Sequence, residues 1–108
     1  MLMHSASYKE VFAMDISIFH NITILKYLKD AYPLMLESEG YRVLSNQLES
    51  ENTLDGHLLY LWEKGLISTE MSFDQHDQQW SVSAHVTRIT ARGLDYLSEG
   101  ENFNPLVL

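Results

Sequence analysis

Five histidines, at positions 4, 20, 57, 76 and 85, are the side chains best suited to hold a metal or to move a proton near neutral pH. Their spacing supports neither role. No two stand four apart on a helical turn and no His-Glu-x-x-His run occurs, so no metal site is expected. Cysteine is absent, which removes thiol nucleophiles, disulfides and cysteine zinc sites, and fits a reducing compartment. Serine, histidine and aspartate are scattered, with no Gly-x-Ser-x-Gly turn, phosphate loop or paired-carboxylate signature. The chain is therefore expected to be no enzyme and to carry no cofactor. What remains is recognition through charge and aromatic surface.

Charge is the more informative of the two. Seven Lys and Arg against 15 Asp and Glu give a net charge of -8. Duplex DNA is a dense line of phosphates, and its binders gain affinity by placing cations on them. A local basic patch can outweigh a net negative charge, so the residues on the recognition surface must decide. The candidates for contact with nucleic acid or a partner are Asp55, His57, Leu59, Tyr60, Glu63 and Lys64, within one helical stretch. Arg42, Arg88 and Arg92 are the cations that would form a basic patch, joined by Lys26 and Lys29. Leu59 and Tyr60 suit a protein contact better than a DNA groove, because interfaces favour tyrosine. Trp62 and Trp80 fall at core phase.

The elements that position these residues follow from periodicity. Asp15 is a candidate N-cap for a helix over 16–31, with Ile18, Phe19, Ile22, Leu25 and Leu28 as its inner stripe. Pro33 stops it. A connector with a turn at Gly40 leads to a short strand at Tyr41-Arg42-Val43. A brief helix capped by Ser45 follows, with Leu48 pointing inward. Glu51-Asn52 makes a tight turn, and Thr53 caps a helix over 54–64 with Leu54, Leu58, Leu61 and Trp62 inside. Gly65 is placed for a left-handed helix stop. Alternation over 67–73 and 80–87 around the polar stretch 74–79 predicts a β-hairpin. Thr90 caps a final helix, with Ile89 and Leu94 in hydrophobic-staple positions and Gly100 as its end.

Helix, strand, helix, helix, hairpin, helix is an α+β order that resembles a winged helix-turn-helix: three helices, a β-hairpin wing and a C-terminal helix. Two stretches carry the resemblance. His57-Leu58-Leu59-Tyr60-Leu61-Trp62-Glu63-Lys64-Gly65-Leu66-Ile67 is similar to the end of a recognition helix running into its wing. Ile89-Thr90-Ala91-Arg92-Gly93-Leu94-Asp95-Tyr96-Leu97 is similar to the helix after the wing. Both resemble small winged-helix proteins common in phages and prophages, whose chains often begin near a Met-Asp such as Met14-Asp15. The likeness covers roughly 14–100. The expected organisation is an N-terminal extension 1–13, with Met14 an alternative start, then a winged-helix domain 14–100 and a tail 101–108.

The resemblance implies a transcriptional regulator that places its third helix in a DNA major groove. The acidic residues at that helix imply the alternative: an interaction module that binds a basic protein and not DNA, in the manner of an anti-repressor or DNA mimic. By analogy with winged-helix regulators a homodimer is expected, with Pro105-Leu106-Val107-Leu108 and the apolar residues before Met14 as its contacts. No apolar run nears the roughly 20 residues of a membrane span. No secretory signal is read, so the expected place is the cytoplasm.

Overall fold

The computed structural model describes residues 14–103. Helix α1 is Ile18–Ala31, α2 is Glu37–Gln47 and α3 is Glu51–Glu63. Strands β1 (Ile67–Ser68), β2 (Met71–Asp74), β3 (Gln79–Val82) and β4 (Arg88–Ile89) follow, and α4, Ala91–Phe103, closes the order. Three helices, a short antiparallel hairpin and a C-terminal helix make an α+β domain, an arrangement consistent with a winged helix. The expected N-terminal extension and the expected dimer contacts at 105–108 lie outside the described residues.

The core is leucine-rich and continuous. Ile24, Leu25 and Leu28 of α1 meet Leu44 of α2 and Leu54, Leu58 and Leu61 of α3. Leu36, Leu48, Leu66, Ile67, Ile89 and Leu97 extend it beneath the loops, the hairpin base and α4. Each such side chain contributes about 1.5–3 kcal/mol when fully buried.

Several expected features are corrected by packing. Helix α1 is capped by Ser17, not Asp15: the Ser17 hydroxyl accepts the His20 N–H at 3.3 Å. Its buried face is Asn21, Ile24, Leu25 and Leu28, which leaves Ile18 63% and Phe19 80% exposed. Two stripes a fraction of a turn apart compete for the core, and the one containing Asn21 faces it.

The strand expected at Tyr41-Arg42-Val43 is instead the middle of α2. Gly40 is not a turn but a place of close approach. A Cβ there would stand 2.6 Å from a Leu36 methyl and 3.0 Å from the Tyr27 ring. Ser45 is no cap either; it lies inside α2 and donates its hydroxyl to the Tyr41 carbonyl at 2.8 Å. The α2–α3 turn falls earlier than expected, with Glu49 left-handed at φ 78. Ser50, rather than Thr53, caps α3 by accepting the Thr53 N–H at 3.0 Å.

At the other end of α3 the expected glycine stop is present. Gly65 has φ +79, and the Leu66 N–H donates to the Leu61 carbonyl at 2.9 Å, the bond that closes a left-handed helix stop. Trp62, expected inside, is 36% exposed.

The hairpin is broken rather than continuous. Ile67 pairs with Ile89 and Ser68 with Arg88; farther out Met71 pairs with Val82 and Asp74 with Gln79. Between the two ladders one side runs through 69–70 and the other through 83–87, so the longer side coils its surplus into a 3-10 turn, Ala84–Val86. At this break the buried hydroxyls of Thr69 and Thr87 share a 2.6 Å hydrogen bond. The Leu36 N–H donates to the Thr87 carbonyl at 2.7 Å and ties the connector before α2 to the hairpin base. Trp80 does not reach the core; it is 38% exposed and tilts against Phe73 with centroids 5.3 Å apart.

Helix α4 starts as expected: Thr90 accepts the Gly93 N–H at 3.0 Å, and its own hydroxyl donates to the Gly65 carbonyl at 2.8 Å. It does not end at Gly100 but runs on to Phe103. No helix among the described residues is long and apolar enough to cross a membrane.

Candidate partner-binding surface

Helix α3 carries most of the candidate residues, and its three sides face different neighbours. Leu54, Leu58 and Leu61 face the core. Toward the N-terminus of α1 the helix presents Gly56 and His57. Gly56 is needed there, because the Met14 thioether occupies the space a Cβ would take.

His57, one of the candidate contact residues, is packed inside the domain and is 1% exposed. Its ring joins two helices. Nε2 accepts the Ser17 N–H at 2.9 Å, and Nδ1 lies 2.8 Å from the Thr53 carbonyl. Both bonds are satisfied only by a neutral ring with its proton on Nδ1. The His20 ring stands edge-on to it, centroids 5.1 Å apart. Burial pushes the His57 pKa below the ordinary 6.5, opposed by the Thr53 carbonyl and assisted by His20. His57 is a clasp between α1 and α3, and offers nothing to a partner.

On the α2 side, Asp55 is half-buried and accepts the Tyr41 hydroxyl at 2.7 Å. Burial raises its carboxyl to about 6; the Tyr41 bond acts the other way and the charge on Glu51 adds to the rise. The Tyr41 hydroxyl is itself pushed up, by burial first and then by Asp55. The native Asp55 therefore binds its proton more tightly than the unfolded chain does. Its contribution to stability is present in acid and is lost as pH rises from 3.8 to about 6. Asp55→Asn keeps an oxygen for Tyr41 and removes the charge. A rise of that size corresponds to roughly 3 kcal/mol, and solvent access to the half-buried group reduces it to about 1 kcal/mol. The variant is expected to be more stable by that amount at pH 7 and equal to wild type near pH 3, as measured by urea unfolding.

The exposed residues of α3 are Glu51, Asn52, Trp62 and Glu63, followed by Lys64. Glu49 stands exposed in the turn before it, and Leu59 and Tyr60 are half-buried. The Lys64 ammonium lies 5.6 Å from the centre of the Tyr60 ring, within cation–π range.

Each arginine has a different role. Arg42, on α2, is ion-paired with Glu39. Arg88 donates to the Ile89 carbonyl at 3.1 Å and is half-buried. Arg92 packs near Gly65 and lines a cavity that also takes in Tyr60 and Lys64. Of the candidate residues, then, Tyr60, Lys64 and Arg92 come together at one place. The other walls of that cavity include Asn21, Asp95, Tyr96 and Glu99. None of these four was among the candidates. Asn21 did leave a signal, as the one polar side chain on a helix face with Ile24, Leu25 and Leu28; the other three lie on a helix read only for its caps and core.

The fold and this surface define a small α+β domain, winged-helix-like in arrangement, with an acidic exposed helix. No family model matches the chain, and no curated protein or solved structure matches it.

Proposed function

We propose that the chain is a winged-helix domain that acts as a protein-interaction module, binding a basic partner surface through the exposed side of α3 and the turn before it. The observation that carries this reading is the charge of that side. Glu49, Glu51 and Glu63 are exposed there, and the neighbouring cation, Lys64, lies over the Tyr60 ring. A groove-reading helix would bring these carboxylates to the phosphate wall, where each contact requires a cation. Of the cations that would have to supply those contacts, Arg42 is paired with Glu39 and Arg88 is bonded to the Ile89 carbonyl.

The element order favours a second reading, a transcriptional regulator that binds duplex DNA, and salt dependence separates the two. Fluorescence anisotropy with mixed-sequence duplex at low salt is expected to show no saturable binding. A lysine- and arginine-rich peptide is expected to shift backbone amide resonances of Glu49 to Glu63, and Glu49→Lys, Glu51→Lys and Glu63→Lys together are expected to abolish those shifts. Saturable duplex binding whose log K falls linearly with log salt would overturn the interaction reading in favour of the regulator. Peptide-induced shifts that survive the triple substitution would remove this surface from it.

A further inference from the structure

We propose that the apolar face of the β2–β3 hairpin, at Phe73 and Trp80, seats an apolar side chain of a basic protein segment whose arginines flank it. The inference rests on the interaction reading and deepens it, by naming what the basic partner carries besides charge.

The hairpin has two unlike faces. Its register pairs Met71 with Val82 and Phe73 with Trp80, and these four share one side because residues two apart in a strand point the same way. Ser72, Ser81, Asp74 and Gln79 take the other side. Met71 and Val82 are partly buried against the core. Phe73 and Trp80 continue the same side past it, 42% and 38% exposed. The side that the domain buries therefore runs on beyond the domain, and its outer half is aromatic. The contact between the two rings steadies the ribbon, as cross-strand aromatic pairs do, and leaves part of each ring uncovered.

Charge decides what fits there. From Gly65 to Thr87 the chain holds Glu70, Asp74 and Asp77 and no Lys or Arg. All three carboxylates are exposed. Strand β3 also packs against α3, the helix that exposes Glu51 and Glu63. An aromatic surface among carboxylates matches an apolar residue set among cations. Arginine suits it best, since a guanidinium stacks on Trp and Phe faces and bonds carboxylates in pairs. A second copy of this chain does not fit, because joining two such faces would set Glu70, Asp74 and Asp77 against the same three residues with no cation between them. Single-stranded nucleic acid stacks on exposed rings, but its phosphates need the cations that this hairpin lacks.

The test titrates the full chain with three short peptides, leucine alternating with arginine, serine alternating with arginine and leucine alternating with glutamate, and with oligothymidine. The leucine–arginine peptide is expected to shift the Trp80 indole resonance and the amides of Met71 to Val82. It is expected to bind about tenfold tighter than serine–arginine, the gain from partly burying a leucine. Phe73→Ser combined with Trp80→Ser is expected to erase that difference and to leave the α3 shifts caused by serine–arginine in place. Glu70→Gln with Asp77→Asn keeps both rings, and is expected to weaken leucine–arginine binding about threefold at low salt. The inference alone falls if serine–arginine binds as tightly as leucine–arginine, or if the hairpin resonances stay still while the α3 amides shift. Absence of binding by both arginine peptides overturns it together with the interaction reading. Binding of leucine–glutamate or oligothymidine at the hairpin as tight as that of leucine–arginine overturns the choice of a basic partner.

Discussion

Gly93→Ala is expected to destabilise the protein by about 3 kcal/mol, the upper part of the usual range for overpacking. Gly93 sits in the first turn of α4, where a Cβ would press on the Leu66 carbonyl oxygen and stand 2.6 Å from Ile89 Cγ1. The oxygen belongs to backbone that cannot swing aside. It already accepts the Thr90 N–H at 3.1 Å, and the neighbouring Gly65 carbonyl accepts the Thr90 hydroxyl at 2.8 Å. Moving α4 outward to relieve the contact would break both bonds and uncover Ile89, which is fully buried. Alanine is the better helix former by about 1 kcal/mol, too little to offset this. Urea midpoints for wild type and variant give the number directly. A loss under about 1 kcal/mol would mean that α4 does not approach Leu66 this closely.

His57→Ala is expected to cost about 3 kcal/mol at pH 7.5, from the volume left empty and from the Ser17 N–H left without its acceptor. Its signature is the pH profile. Because the native His57 pKa lies below 6.5, the unfolded chain takes up the proton first as pH falls. The contribution of the clasp is therefore complete above pH 6.5 and declines as the pH drops below it. Asp55 acts in the opposite sense over part of the same window, since its carboxyl is raised to about 6 and acid favours its native form. The difference between the wild-type and His57→Ala curves cancels the Asp55 contribution and isolates the histidine. That difference should shrink as the pH is lowered from 7.5 to 5; a difference that stays constant would show that Nε2 does not accept from Ser17.

Both residues stand in helices that periodicity and capping residues identify, yet neither role is a local property of its helix. Gly93 follows the Thr90 cap as expected, but helix periodicity says nothing about which turn touches another backbone. His57 belongs to a helix whose core side, Leu54, Leu58 and Leu61, follows from spacing alone. Its burial depends on where the chain before α1 crosses α3, a contact between residues 40 apart.

The same division runs through the whole molecule. Local chemistry is sufficient for the glycine stop at Gly65, the Thr90 cap, the hairpin between β2 and β3 and the leucine faces, because each depends on neighbours within about a turn. The sequence by itself therefore determines the end of α3, the turn between β2 and β3, the start of α4, the acidic balance of charge and the absence of cysteine chemistry. Choices between nearly equal local solutions were left to tertiary packing. Gly40 lies within a helix and not in a turn, at a point where Tyr27 and Leu36 leave no room for a Cβ. The stripe with Asn21 is buried although the alternative is wholly apolar. The segment 83–87 coils because its partner side is shorter. Tertiary structure alone also gathers Tyr60, Lys64, Arg92, Asp95 and Asn21, from three helices, around one cavity. No spacing along the chain encodes that meeting. It exists only once the core has set the angles between the helices.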